Sequence, residues 1–302
     1  MAYLESRVEL SCPALGRPLS KPELIAAIAG KVGVLSTLAD TIDAEVFNAA
    51  PALKVVANYA VGFNNIDLVA ARERGIVVTN TPGVLTEATA DLTWALILGI
   101  CRRVGEGDRL VREGRWTGWA PTQLLGADVA GATLGIVGLG RIGRAVARRA
   151  VGFGMGVLYT ARRVAPEADP AWRMVPLATL LAKSDIVSLH VPLTADTRHL
   201  IGARELSSMK RTAYLINTAR GPVIDEAALA AALRARTIAG AGLDVYEHEP
   251  VVHPDLMACE NALILPHLGS ATTTTRERMG QMAADNLLAV LEGSAPPNPV
   301  VS

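Results

Sequence analysis

The run Thr133-Leu-Gly-Ile-Val-Gly138-Leu-Gly140-Arg-Ile-Gly143-Arg-Ala-Val-Ala joins an apolar strand pattern to a helical one across three glycines. Few junctions restrict a fold more tightly. The first glycine permits a tight turn, the second lets backbone approach a pyrophosphate, and the third lets the new helix pack against the strand it leaves. Anionic phosphates then meet the unpaired N–H groups at the helix N-terminus. The spacing therefore predicts a βαβ unit that holds a dinucleotide, with Gly138, Leu139, Gly140, Arg141, Ile142 and Gly143 as its contacts.

Apolar, β-type runs at 31–35, 55–59, 76–80, 133–137, 156–160, 186–190, 213–217, 241–245 and 262–265 alternate with helical stretches. Such alternation gives parallel sheets covered by helices. Three runs precede the glycine loop, so the reading is a small α/β sheet first, then a six-strand, Rossmann-like doubly wound parallel sheet. A chain of 302 residues suits two domains of about 100 to 200 residues each. Long helical patterns at 86–104 and 273–291 read as the two crossings between them. The expected organisation is a substrate domain over 1–91, a dinucleotide-binding domain over 92–271, and a C-terminal helix over 272–302 that returns to the first. Pro296 to Pro299 is expected to end the ordered chain, because a proline run cannot continue a helix.

Lys plus Arg equals Asp plus Glu at 29 each, and the basic residues are dispersed. No electrostatic footprint for nucleic acid or an anionic membrane follows. The longest apolar stretch, Leu92 to Cys101, is about half of what crossing a bilayer takes, and the opening residues carry no signal pattern. The chain reads as cytoplasmic. Cys12, Cys101 and Cys259 are odd in number and widely spaced, with no metal-ligand pattern, and are expected reduced and structural.

The second strand of a dinucleotide sheet ends beside the adenosine ribose, where an NAD enzyme usually places Asp or Glu. This chain has Val157-Leu-Tyr-Thr160-Ala161-Arg162-Arg163 there. A carboxylate would repel a 2′-phosphate; two guanidinium groups would hold one. The expectation is NADP(H) in preference, with NAD(H) also accepted.

Ligands of open parallel sheets lie beyond the carboxyl ends of the strands. Three consecutive late strands are followed by chemistry there: Arg220 in Asn217-Thr-Ala-Arg220-Gly221, Asp244 with Glu249-Pro250, and His267 in Pro266-His267-Leu-Gly269. Reduction of a 2-keto acid needs a hydride donor, a cation, a proton donor and a group that keeps that donor charged. Arg220 suits the planar clamp on carboxylate and carbonyl. His267 suits proton exchange, and Glu249, if bonded to it, favours the imidazolium. Asp244 is assigned to the nicotinamide carboxamide. His190 is the rival base, with a cofactor-wall role preferred for its loop. The remaining cofactor contacts are assigned to His190, Pro192, Thr197, Thr218, His267 and Gly269. No metal is called for.

The glycine run, Asn217-Thr-Ala-Arg220-Gly221, the block Gly242-Leu-Asp244-Val-Tyr-Glu-His-Glu249-Pro250 and Pro266-His267-Leu-Gly269-Ser-Ala-Thr272 together resemble the D-2-hydroxyacid dehydrogenase family, from about Leu10 to Glu292. The resemblance implies a flavodoxin-like α/β substrate domain beside the Rossmann one, and Arg220, Glu249 and His267 as the catalytic set. The loop Asn58-Tyr-Ala-Val61-Gly62-Phe63-Asn64-Asn65 is similar to the family's substrate loop, which implies carboxylate binding by the amides of Val61 and Gly62; Leu38 is assigned to the same substrate by analogy.

Within the family, Thr79-Asn-Thr-Pro-Gly-Val-Leu-Thr-Glu87 and Trp116-Thr-Gly-Trp119 are most similar to glyoxylate/hydroxypyruvate reductases. That implies a homodimer with an arm over 92–126, in which Trp116 and Trp119 are either interface anchors or core. One departure stands out. Members normally open with a strand, whereas Met1-Ala-Tyr-Leu-Glu reads as already inside the following helix; either the true start lies upstream or the first domain is rearranged, and if the strand is absent the small sheet loses a central strand.

The resulting expectation is an NADPH-preferring reductase of glyoxylate or hydroxypyruvate. 3-Phosphoglycerate or other D-2-hydroxyacid dehydrogenases are the alternative enzymes, and a dinucleotide-sensing corepressor is the alternative of another class. Formate dehydrogenases are disfavoured because they carry Gln where this chain has Glu249.

Overall fold

The computed structural model describes residues 2–13, 16–163 and 168–300. The chain packs as two units, 1–85 with 272–302 and 86–271.

In the first unit the order is α1 (Ala2–Glu5), α2 (Lys21–Ile28), β1 (Gly33–Ser36), α3 (Ala44–Ala49), β2 (Val55–Asn58), α4 (Leu68–Glu73) and β3 (Val77–Thr79). The strands form a parallel three-stranded sheet in the order β1-β2-β3. Helix starts are set by side chains that accept otherwise unpaired N–H groups: Asp43 takes those of Glu45 and Val46, and Asp67 takes that of Ala70. Among the described residues β1 has one strand neighbour, β2.

In the second unit the order is α5 (Thr86–Cys101), α6 (Val104–Arg112), β4 (Thr133–Val137), α7 (Arg141–Ala150), β5 (Gly156–Thr160), β6 (Arg173–Met174), α8 (Leu177–Lys183), β7 (Ile186–Leu189), α9 (Ala203–Ser208), β8 (Tyr214–Asn217), α10 (Glu226–Arg234), β9 (Gly240–Leu243), α11 (Pro254–Met257) and β10 (Ala262–Ile264). Its sheet is parallel and seven-stranded, in the order β10-β9-β8-β7-β4-β5-β6. Strands β7 and β9 are buried along their whole length, as expected where helices cover both faces. The seventh strand corrects the expected six: β6 is two exposed residues at the sheet edge, too short and too polar to leave an alternating pattern. The order reverses between β4 and β7, and the glycine loop leaves β4 at that point.

Two further expectations are corrected. The helical pattern over 86–104 breaks after Cys101, where Arg103 takes φ 52° in the left-handed region and starts α6. The second unit also takes in that helix from Thr86 rather than beginning inside it at 92.

The last helix, α12 (Thr273–Leu291), begins at Thr272, whose hydroxyl accepts the Thr275 N–H, and packs on β1 and β2 of the first unit. Alternation along β2 divides the work: Val55 and Ala57 meet Leu287 and Leu288 of α12, while Val56 faces Phe47, Val46 and Ile28. The tail then extends the order past the proline run, against expectation. Val300 donates to the Val78 carbonyl at 2.8 Å and Asn80 donates to the Asn298 carbonyl at 3.2 Å, so the tail lines the free edge of β3. Proline is tolerated on an edge because the neighbouring residues carry the hydrogen bonds. Among the described residues no helix is long and apolar enough to cross a membrane.

Candidate active site

At the end of β4, Gly138 stands at φ 98°, and a Cβ there would lie 2.8 Å from the His190 carbonyl carbon and oxygen. Both the conformation and the space require glycine. A Cβ on Gly143 would lie 2.2 Å from the Gly138 oxygen, so α7 closes against the loop it leaves. Gly140, the N-cap of α7, meets nothing within 4 Å and offers no capping side chain. The first turn of α7 thus turns its N–H groups to open space, the arrangement that fits a pyrophosphate. The Gly138 N–H donates to the Thr160 carbonyl at 2.9 Å, which brings the end of β5 beside the loop. Arg162 and Arg163 follow, both exposed, and make no ion pair with a described residue. A nicotinamide dinucleotide fits these residues.

His190 follows β7 and shares a 2.8 Å hydrogen bond between its Nε2 and the Ser188 hydroxyl. Burial pushes its pKa down to about 3. It is neutral at physiological pH and suited to a wall rather than to proton donation. Thr197 bonds back to the Pro192 carbonyl at 2.6 Å, fixing that wall. Thr218 is buried, its hydroxyl 2.9 Å from that of Thr93.

The turn after β8 is shaped by Asn217, a residue with no role expected from the sequence. Its Oδ1 accepts the Ala219 N–H at 3.0 Å and its Nδ2 donates to the Arg220 carbonyl at 2.9 Å. A polar residue closing an otherwise apolar strand was the available signal. Arg220 donates one bond to the Ala219 carbonyl at 2.7 Å. Burial lowers its pKa and the Glu249 charge works the other way. The two side chains therefore act on each other.

Asp244, only 1% exposed, directly follows β9. Its Oδ1 accepts the Leu268 N–H at 2.6 Å and its Oδ2 the Gly269 N–H at 2.8 Å, while its own carbonyl accepts the His267 N–H at 3.0 Å. Three bonds thus hold the loop after β10, and within it His267 takes φ 55°, a left-handed conformation that a non-glycine residue adopts at some cost. Asp244 is a clamp for the histidine, a role its place in the sequence did not announce. Burial raises its pKa, opposed by the two N–H groups and His267.

His267 Nδ1 lies 2.7 Å from Glu249 Oε2, and the other carboxylate oxygen accepts the Tyr246 N–H at 3.0 Å. Burial would raise the Glu249 pKa, but the His267 hydrogen bond and charge, the Tyr246 N–H and Arg220 hold it below the usual carboxylate range. An ionised carboxylate only accepts, so the imidazole nitrogen facing it carries hydrogen, leaving Nε2 for exchange. The loop bearing Glu249 is braced from behind: Glu226, 4% exposed, accepts the Glu247 N–H at 2.6 Å, and Glu247 in turn pairs with His199. Three of the predicted groups, Arg220, Glu249 and His267, thus share one carboxyl edge with Asp244.

In the first unit, Leu38 is exposed in the loop after β1. The loop after β2 has its carbonyls taken in succession: Ala60 by the Thr81 N–H at 2.9 Å, Val61 by Asn80 Nδ2 at 2.8 Å, and Gly62 by Asn58 Nδ2 at 2.8 Å.

A cavity of about 320 Å³ lies elsewhere, at the amino ends of β4, β7 and β8, among Cys101, Asp128, Asp185 and Tyr214. Ligands of this sheet type bind at the opposite edge, and burial pushes the Cys101 thiol to about 12, leaving it inert.

Residues 94–269 match the family model described as D-isomer specific 2-hydroxyacid dehydrogenase, NAD binding domain. A glyoxylate reductase of Korarchaeum cryptofilum is 53% identical over 302 residues, covering 99% of this chain and 91% of the relative. Among solved structures, a Thermus thermophilus protein has a TM-score of 0.89 at 55% identity, covering 94% of this chain and 90% of its own. An NADPH-dependent glyoxylate/hydroxypyruvate reductase from Sinorhizobium meliloti, in complex with NADP and malonate, has a TM-score of 0.85 at 38% identity, covering 91% and 86%. With the Arg220, Glu249 and His267 geometry beyond a dinucleotide-binding sheet, these likenesses make the chain a member of the D-isomer-specific 2-hydroxyacid dehydrogenase family of oxidoreductases.

Proposed function

We propose that the protein reduces small 2-keto acids, glyoxylate and hydroxypyruvate, to 2-hydroxy acids with NADPH in preference to NADH. The observation that carries this reading is the Glu249-to-His267 hydrogen bond of 2.7 Å on the same edge as Arg220. The bound dinucleotide supplies a hydride. Arg220 holds the keto acid through its planar fork, limiting it to poses in which the carbonyl carbon is open to attack. His267 Nε2 gives its proton to the carbonyl oxygen as charge develops there, and Glu249 holds the Nδ1–H throughout. The neutrality of His190 favours His267 over the rival base. Carboxylate recognition is assigned to the amides of Val61 and Gly62 and side-chain selection to Leu38. The first unit takes the role of substrate domain and the second that of cofactor domain.

Preference for NADPH rests on Arg162 and Arg163. A charge-assisted bond of about 1.5 to 3 kcal/mol corresponds to roughly 10- to 100-fold in affinity. Oxidation of NADPH and NADH followed at 340 nm with a panel of keto acids tests the whole reading. His267→Ala is expected to lose reduction while keeping dinucleotide binding, and an active variant overturns the mechanism. Equal KM for the two cofactors, or an unchanged preference in Arg162→Asp, overturns the cofactor assignment.

A homodimer is proposed through the arm over 92–126. Trp116 is 53% exposed and Trp119 82%, which removes the core alternative and leaves two large aromatics in need of cover. Light scattering of the Trp116→Ser, Trp119→Ser double variant is expected to give monomer; an unchanged dimer refutes the arm.

A further inference from the structure

The loop after β2 offers a feature that no single residue type announces. In a trans peptide the N–H points opposite to the C=O of the same unit. Bonding the carbonyls of Ala60, Val61 and Gly62 therefore turns the N–H groups of Val61, Gly62 and Phe63 the other way. None of those three N–H groups donates to a described residue, and all three residues are partly exposed. Successive N–H groups presented together make a concavity with partial positive charge, suited to a small anion.

Two side chains set that presentation. Asn58 is fully buried, and the Ser36 hydroxyl donates to its Oδ1 at 3.3 Å, which leaves its NH2 group to the Gly62 carbonyl. Asn80 is fixed through its backbone: its N–H donates to the Asn298 carbonyl, and its own carbonyl accepts from Asn286 Nδ2 at 3.1 Å. Asn286, buried in α12, accepts the Asn298 N–H at 2.9 Å. The C-terminal tail and α12 thus hold Asn80 where it grips the Val61 carbonyl. Without the two asparagine amides the Val61 and Gly62 peptides lose the bonds that keep their N–H groups turned outward.

We propose that Asn58 and Asn80 are positioning residues that set the substrate-carboxylate site, and that this site includes the Phe63 N–H as well as those of Val61 and Gly62. The proposal rests on the keto-acid reading above and extends it. The chain has three phenylalanines, Phe47, Phe63 and Phe153, so 15N-phenylalanine labelling gives a spectrum that is simple to assign by substitution. Adding oxalate, a small carboxylate that carries no reducible carbonyl, to the full-length wild-type protein is expected to shift the Phe63 resonance and leave those of Phe47 and Phe153 in place.

Asn80→Ala is expected to raise KM for glyoxylate and the inhibition constant of oxalate together, about fivefold to tenfold each, with kcat and the KM for NADPH nearly unchanged, the pattern of a lost uniform binding interaction. Asn58→Ser is expected to do the same, and the wild-type titration stands on its own if either variant fails to fold. An unshifted Phe63 resonance at saturating oxalate overturns the site, and unchanged glyoxylate KM and oxalate inhibition in folded Asn80→Ala overturn the positioning role. A wild-type protein that shifts Phe63 with oxalate yet reduces no keto acid supports the site and refutes the reaction.

Discussion

Gly221→Ala tests whether the two loops that carry Arg220 and Glu249 are held in register by backbone contact. A Cβ on Gly221 would lie 1.8 Å from the Tyr246 carbonyl carbon, 1.9 Å from its oxygen and 2.4 Å from the Glu247 nitrogen. Ordinary contact begins at 3.4 Å, so the two segments must part by about 1.6 Å. No side chain can rotate aside, because every atom met is backbone. Arg220 immediately precedes Gly221, and the Tyr246 N–H is one of the bonds holding Glu249, so the displacement falls on two of the proposed catalytic residues. Misplacement by about 1 Å costs roughly 100-fold in rate, and overpacking costs about 1 to 3 kcal/mol in stability. The assay follows NADPH oxidation with glyoxylate for kcat, cofactor fluorescence for NADPH affinity, and thermal unfolding. The expected result is a kcat about 100-fold lower, a reduced Tm, and NADPH affinity nearly intact, since the glycine loop leaves a different strand. Gly152→Ala, whose added methyl meets nothing within 4 Å, serves as the neutral control. A Gly221→Ala enzyme with kcat and Tm like wild type refutes the reasoning.

Glu249→Gln is expected to lower kcat/KM for keto-acid reduction about tenfold while leaving NADPH affinity near wild type. The Glu249 carboxylate accepts from His267 Nδ1 at 2.7 Å, a charge-assisted bond contributes about 1.5 to 3 kcal/mol, and both side chains are roughly one-third exposed, which places the effect at the low end. Because the Glu249 carboxyl is held below its usual range, its contribution to stability is present above the ordinary carboxylate pKa and fades as pH falls through the lowered value. An unchanged kcat/KM in the folded variant refutes the pairing. For the brace behind that loop, Glu226→Gln keeps an acceptor for the Glu247 N–H and is expected to fold normally, whereas Glu226→Ala leaves that donor unpaired and loses about 1 to 3 kcal/mol in denaturant unfolding. Equal stability of the two variants refutes the brace. Gly138→Ala is expected to weaken dinucleotide binding at least about tenfold, measured by fluorescence titration, since the methyl presses on the His190 backbone at 2.8 Å; undiminished binding refutes the close approach.

Much of this fold is legible along the chain because it is written in local pattern. The strands β4, β5, β7 and β8 are continuous apolar runs, and α12 matches its expected span at both ends because Thr272 caps one and Gly293 follows the other. The features missed were those with little local signal. Strand β6 has two residues, the break at Arg103 has no glycine or proline to mark it, and the tail 298–300 is ordered by pairing with an edge that no local pattern in the tail foretells. Arg220, Glu249 and His267 could be picked out because each follows a strand whose carboxyl end is known from the sheet type.

Residue types and their order carry a glycine loop for a dinucleotide, and a cation, an acid and an imidazole at successive strand ends. How these groups are held depends on the folded chain. Asp244, read as a cofactor contact, clamps the His267 loop through three hydrogen bonds; His190, a rival in the sequence, is neutralised by burial; and Asn58 and Asn80, unremarkable as letters, turn a run of peptide N–H groups outward. The reason is physical. Residue types and their order are local properties, whereas hydrogen-bond partners, desolvation and the direction of a peptide depend on groups far apart in the chain.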